Sequence, residues 1–555
     1  MRNRKSLDWD RVERGKQKRD SAGGANDWHS LRKRHYRSGR RGAGRAPLIA
    51  LLIGCIGAGA WLLFGNHGPG VNGREWGERV TDHYVAGETL GWRVEYDAQG
   101  RIAKSIDPAG RATSYSYVPN TGLPLRSVTA TPPDGPSVTW GYDSEGRMVS
   151  MADELGLVRH RYDAQGRLLA VERAGSPPVR YEYDNAGRRV SMKVGDIYHL
   201  AWTYDYQDRV TSVKTPAGTV RYEYRTGQGE VLRSLDNGVK TIWKHSPDGQ
   251  LEKITHGFFK NPKDNTYTPL AQYAYQHSPD GRIAAIEEES EGSRFTRTYE
   301  YDSMGRLTAA TGPAGQKFTY CYDELGNRTK AAVTGRDEQV CAYDWAGRLT
   351  GVDGQPCKYD ACGNLTDVTL NGREHHYRYR SDGRLVEAKG GGEAASYQYD
   401  GLGRLVARRS PSGPTQFIAD PLSSNWQPLI TEEPDGSRTL IVWDGDVPLA
   451  TVRNGKTEYL LNDHLGTARM VADSSGSVLT RREFDPFGVP LQTSGQPYDL
   501  VGFAGLPTDA AAGGLQTLAR VYIPDIGSFL QPDPQKPMPD ITLLTCPPRT
   551  GPARM

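Results

Sequence analysis

The phrase Tyr-Asp-x-x-Gly-Arg-hydrophobic recurs along most of this chain at a nearly fixed pitch. Full copies begin at Tyr96, Tyr142, Tyr162, Tyr183, Tyr301, Tyr343 and Tyr399, with weaker copies at Tyr204, His245, His277, Tyr322, Tyr359 and Tyr379. From Tyr142 the steps are 20, 21, 21 and 20 residues, and later runs step by 21, 21, 16, 20 and 20. A period this short cannot enclose a core of its own, so the chain must fold as an array in which each unit leans on its neighbours.

Each unit carries the signals of one β-hairpin. Val179-Arg180-Tyr181-Glu182-Tyr183 alternates apolar and polar residues with the period of a half-buried strand. The Asp that follows opens a turn by accepting backbone hydrogen bonds, and the Gly supplies the positive φ of a short bulged loop. On this basis Gly146, Gly166, Gly187, Gly305, Gly347 and Gly403 are structural turn residues. A lone hairpin is marginal in water, so the units must pair edge to edge and bury a shared face. The predicted fold is mainly β: tandem hairpins forming one wound, shell-like antiparallel sheet. The Arg after the Gly keeps phase with the Asp of its own and neighbouring units, which predicts a ladder of charge pairs.

Composition suits a thin wall. The chain has 30 Tyr but only 10 Phe, so its apolar faces are built from rings with a polar tip. With 37% hydrophobic residues and a mean hydropathy of −0.64, sheet pairing must matter more than one thick core.

Residues 1–47 hold 15 Lys or Arg against 5 Asp or Glu and lead into an apolar run at 48–65. The seventeen residues Leu48–Phe64 would, as a helix, span about 25 Å, the low end of what crosses a bilayer. The basic flank then predicts a single-pass inner-membrane protein with a disordered cytoplasmic tail and exported repeats. A nucleic-acid role for the tail, which interleaves Trp28, His29, His35 and Tyr36 with its charges, is not expected because no folded binding motif accompanies it. The remaining segments are a linker (66–90), the repeat array (91–415), a denser region (416–535) and a Pro-rich tail (536–555).

Cys341 and Cys357 each precede their Tyr by two positions, the same phase of successive hairpins, so export would make a disulfide between them possible. A zinc site from Cys357, Cys362, His375 and His376 has no standard spacing and is not expected. There is no G-x-S-x-G, phosphate-binding glycine loop or HExxH, and no cofactor is called for.

After Tyr399 the motif changes. Asp463-His464-Leu465-Gly466, Asp485-Pro486-Phe487-Gly488 and Gly527-x-Phe529-Leu530-x-x-Asp533-Pro534 follow in order. The repeats resemble the YD repeats of the rearrangement-hotspot (Rhs) family, and this segment resembles the Rhs repeat-associated core domain. The resemblance implies a hollow shell, which in the family often encloses a C-terminal toxic domain released by self-cleavage. It also makes Asp533, with Asp463, His464 and Asp485, the weak candidates for an acid or base. Two departures stand against self-cleavage: Arg520-Val521-Tyr522-Ile523-Pro524 loses an aromatic and an acid, and Asp533-Pro534 is followed by 21 Pro-rich residues in place of the family's processing segment. The expectation is a membrane-anchored scaffold, not an enzyme, without a toxin domain, holding protein cargo or, in the alternative, binding a surface glycan or protein.

Overall fold

The computed structural model describes residues 92–532, apart from 119–125, 237, 259–266, 291, 424 and 497, together with the short strands Arg79–Thr81, Tyr84–Val85 and Glu88–Thr89. Apart from a few 3-10 turns, every regular element among them is a β-strand. A first antiparallel sheet of 26 strands runs from Arg79 to Pro356, and a second of 14 strands runs from Lys358 to Gly495. Almost all pairings join strands adjacent in sequence, so the sheet is a ribbon of hairpins.

The repeat becomes a hairpin by one local mechanism. In the unit at Tyr183, the Asp184 N–H donates to the Arg188 carbonyl at 2.9 Å and the Gly187 N–H to the Asp184 carbonyl at 3.0 Å. The pairing register slips between Glu182 and Tyr183, which makes room for the extra turn residue. Gly187 sits at φ +82°, and Gly146, Gly166, Gly305, Gly347 and Gly403 lie between +75° and +84°. A Cβ is strained in that region, which is why the turn calls for glycine.

The ribbon folds back on itself. Near Cys357 the pairing changes partner: Gln355–Pro356 pairs backward with Leu349–Val352, while Lys358–Tyr359 pairs forward with Leu365–Leu370. The inward faces of the two sheets then share a core. Val179, Tyr181, Met192, Val194 and Tyr198 of the first sheet pack with Leu429, Ile430, Val442 and Ala450 of the second. The second sheet passes without interruption through the expected 415/416 boundary, since Gly413–Ala419 is paired on both sides. Beyond it, a small four-stranded sheet between Thr508 and Phe529 closes the structure, burying Ala512, Val521, Ile523 and Leu530 against the strands around Tyr377 and Leu385.

One expectation requires correction. No helix among the described residues is long and apolar enough to cross a membrane, so the single-pass inner-membrane localisation does not stand. The 48–65 run on which it rested, like the 1–47 tail and Asp533, lies outside the described residues.

Candidate functional site: the stapled seam and closing segment

The repeated arginine does more than the sequence pattern indicates. Within its own turn, Arg209 Nε holds the Asp205 carboxylate at 2.7 Å, while the other Asp205 oxygen accepts the Gln207 and Arg209 backbone N–H groups at 2.9 Å each. The same guanidinium lies 4.5 Å from the centre of the Tyr224 ring in the next unit. The Tyr224 hydroxyl in turn donates to the carbonyl of Val210, the residue after the arginine. The arrangement repeats at Arg101 over Tyr117, Arg147 over Tyr162, Arg167 over Tyr183, Arg188 over Tyr204 and Arg306 over Tyr322. The Asp of one unit and the Tyr of the next therefore share one cation. Hydrogen bonding from the Arg and the turn backbone holds the Asp163, Asp184, Asp205, Asp302 and Asp344 carboxyls below their usual range, against an opposing effect of burial.

Between the sheets runs a second set of contacts. Ser381 Oγ donates to Asp134 at 2.6 Å, and the Gly401 N–H donates to Asp153 at 2.8 Å. The Tyr181 hydroxyl reaches Asp420 at 2.6 Å, and the Tyr198 hydroxyl reaches the Ile441 carbonyl at 3.0 Å. His256, fully buried, lies 3.1 Å from Thr241 Oγ1 and 3.0 Å from the Asn462 carbonyl, and burial pushes its pKa down to about 3. These staples join residues between 206 and 248 positions apart. They fasten one pass of the ribbon to the next.

A further staple is ionic. Glu288 and Arg297 of the first sheet and Arg469 of the second are buried, and Glu483 completes the set. Arg469 reaches Glu288 at 3.1 Å and Glu483 at 2.5 Å, and Arg297 pairs with both glutamates. Sequence reading missed this network, although one signal was present: Glu288 falls in the apolar phase of Ile283–Ser290, beside Ile286. Asp463 and His464 lie at its edge. Asp463 caps its turn through the Leu465 and Thr467 N–H groups and stands 3.8 Å from Arg469, while the His464 ring meets Tyr275 edge-on at 5.0 Å. Burial holds the His464 imidazole below its ordinary pKa.

Asp485 is elsewhere, in the turn before the last strand of the second sheet, Pro490–Gly495. One oxygen accepts the Phe487 and Val489 N–H groups at 2.8 Å each, and burial pushes its pKa up to about 6. No hydrogen bond or ion pair joins Asp463 to Asp485 among the described residues. The structure therefore does not assemble these two carboxylates into one acid–base pair.

The cysteines also fall differently from expectation. Cys341 and Cys357 are free thiols, as are Cys321 and Cys362. Cys341 pairs with Val352, and the Cys357 N–H bonds the Thr350 carbonyl from the other side of the same strand. An intervening strand separates them by about 9–10 Å, beyond the ~7 Å that a disulfide spans. Burial raises both thiols to about 11. The four residues considered for zinc do not converge: His376 pairs with Asp367, Cys362 lies 3.5 Å from Arg111, and no group of three or more potential ligands gathers among the described residues.

A hairpin ribbon stapled to itself and closed by a small terminal sheet defines a YD-repeat shell. The chain belongs to the Teneurin YD-shell family, whose sequence profile matches residues 152–260 and 270–543, and an RHS repeat matches 96–131. It is 29% identical over 259 residues to Double-stranded DNA deaminase toxin A of Burkholderia cenocepacia and 28% identical over 164 residues to Toxin protein Tse5 of Pseudomonas aeruginosa. Those matches cover 42% and 25% of this chain but only 17% and 12% of the two toxins. Human Teneurin-4 is 32% identical over 122 residues, 20% of this chain and 4% of its own. A crystal structure of TcdB2-TccC3-TEV shares the fold with a TM-score of 0.66 at 16% identity, over 82% of this chain and 27% of that one. The chain is thus an Rhs/YD shell related to toxin systems.

Proposed function

We propose that this chain acts as a non-catalytic shell, a scaffold that encloses or presents a protein cargo in a toxin-type system. The stapled seam is the observation that carries this reading. A flat ribbon has no need of buried polar contacts between residues more than 200 positions apart, whereas a wall wound beside itself must satisfy every polar group it buries there. The relatives support the class of system, since two of them are toxins. The cargo is proposed to be a polypeptide because two of the relatives are protein toxins. Low-resolution electron microscopy of the purified chain tests the reading. A closed or cupped particle is expected, and an extended open sheet would overturn it.

A second reading, a module that binds a surface glycan or protein, is favoured by one feature. Met304, Leu325 and Trp345 occupy the tips of three successive turns and are exposed by 67%, 39% and 56%. Binding of immobilised glycans that is lost in Trp345→Ala would favour that reading over the scaffold.

A further inference from the structure

Opposed charges on neighbouring strands of the ribbon can compensate one another, as where Glu95 faces Lys104 at 3.1 Å and Arg378 faces Glu387 at 3.0 Å. One row of the first sheet does the reverse. Arg161, Ala170, Arg180, Lys193 and His199 stand directly opposite one another on the successive strands Gly156–Tyr162, Leu168–Arg173, Val179–Tyr183, Arg189–Val194 and Tyr198–Tyr204. Tyr181, Met192, Val194, Tyr198 and Leu200, which alternate with them, are buried in the shared core, so the row faces outward. Arg161, Arg180, Lys193 and His199 are exposed. Lys214, also exposed, continues the row from the next strand, where it stands opposite Ala201. Burial and then the charges of Lys193 and Lys214 hold the His199 imidazole below its ordinary pKa, which places both lysines within reach of it. Arg180 meets Glu172 at 3.4 Å, and Glu182 stands beside the row opposite Ser191. Among the described residues Arg161, Lys193 and Lys214 have no ion-pair partner.

We propose that this row is a binding face for an anionic polysaccharide, one that carries an acidic group on each sugar. Like charges set opposite one another destabilise a sheet, so the row weakens the fold and is compensated only when an anionic partner covers it. Its rungs lie about 4.8 Å apart, a pitch close to that of successive sugars in an extended polysaccharide, and the row from Arg161 to His199 is about 19 Å long. Nucleic acid fits this face less well. The row and its outward neighbours Glu182, Ser191, Ala201 and Lys214 include no Phe, Tyr or Trp on which bases could stack. A sheet face about 19 Å across does not enter a major groove about 12 Å wide. The row lies on other strands than the turn tips at Met304, Leu325 and Trp345, so the two surfaces can be tested separately.

Fluorescence anisotropy of labelled polygalacturonate with the purified full chain tests this, beside neutral dextran, a DNA duplex and poly-glutamate as alternative ligands. The chain should bind polygalacturonate and not dextran, with an affinity that falls as salt rises. Arg180→Gln combined with Lys193→Gln should weaken binding by about 10-fold or more. Lys317→Gln combined with Lys330→Gln, a pair of exposed lysines on later strands, should leave it unchanged. The row variant should also unfold at or above the wild-type temperature, because repulsion between opposed cations is relieved. No binding by wild type, an equal loss in both double variants, or DNA or poly-glutamate bound as tightly as polygalacturonate overturns the proposal. A lower unfolding temperature for the row variant overturns it too, since the row would then serve the fold. Binding lost in Trp345→Ala but kept in the row variant would move the glycan to the turn tips and equally overturn it.

Discussion

The Arg209 guanidinium sits 4.5 Å from the centre of the Tyr224 ring while its Nε holds Asp205 at 2.7 Å, so a single side chain, 12% exposed, ties the turn of one hairpin to the strand of the next. Repetition of this link explains how units too small to fold alone become a continuous wall. It predicts that Arg209→Lys, which keeps the charge but loses the planar fork, costs about 1–2 kcal/mol. Chemical denaturation would measure the loss, and hydrogen exchange should confine it to the hairpins around Tyr204 and Tyr224. Equal stability of Lys and Arg at this position would reduce the link to a simple charge.

Gly187→Val places a β-branched residue at φ +82° and should cost about 1–3 kcal/mol. Because coupling in the ribbon runs mainly between neighbours, exchange protection should fall near residues 179–194 and remain elsewhere. Uniform loss across all repeats would contradict this.

The ionic seam makes a paired prediction. Glu288→Gln leaves Arg469 and Arg297 buried beside one glutamate, and breaking such a network should cost about 3–5 kcal/mol. The double replacement Glu288→Met with Arg469→Met removes one charge of each sign and should cost less than Glu288→Gln alone. Denaturant midpoints of the two chains decide the order.

His256 gives the fold an acid sensitivity. A histidine whose folded pKa is depressed from 6.5 to about 3 contributes stability that is present above 6.5 and is lost as pH falls. Unfolding free energy should drop by about 1.4 kcal/mol per pH unit from this group below 6.5. His256→Gln should lose that part of the slope between about pH 6.5 and about pH 5, and a variant with the full wild-type slope would show that other groups set it.

Thiol labelling checks the cysteine assignment. Cys321 is exposed and should react first in the native protein, whereas Cys341 is buried and should wait for unfolding. Mild oxidation should leave Cys341 and Cys357 unlinked, and an intramolecular 341–357 bridge in peptide mass mapping would refute the placement of the intervening strand.

The local design was legible in the sequence. The period, the Asp that caps its turn and the Gly at positive φ all act within four or five residues, so their spacing carries the information directly. The same reasoning located the Asp463 and Asp485 turns but treated them alike, because both read Asp-x-x-Gly. Their difference lies in their surroundings: Asp463 stands 3.8 Å from Arg469 beside the Glu288 network, whereas the Asp485 turn packs Phe487 against Tyr320 and receives the Tyr522 hydroxyl on the Phe487 carbonyl, contacts between distant stretches of chain. Tertiary structure alone decided which pass of the ribbon faces which, and with it the staples from Ser381–Asp134 to His256–Asn462 and the four-residue network at Glu288. Sequence phase likewise placed Cys341 and Cys357 on one face, but not the strand lying between them. Hairpin formation is a short-range choice made by turn chemistry. The path of the ribbon sums small twists over dozens of strands, and no single repeat encodes that total.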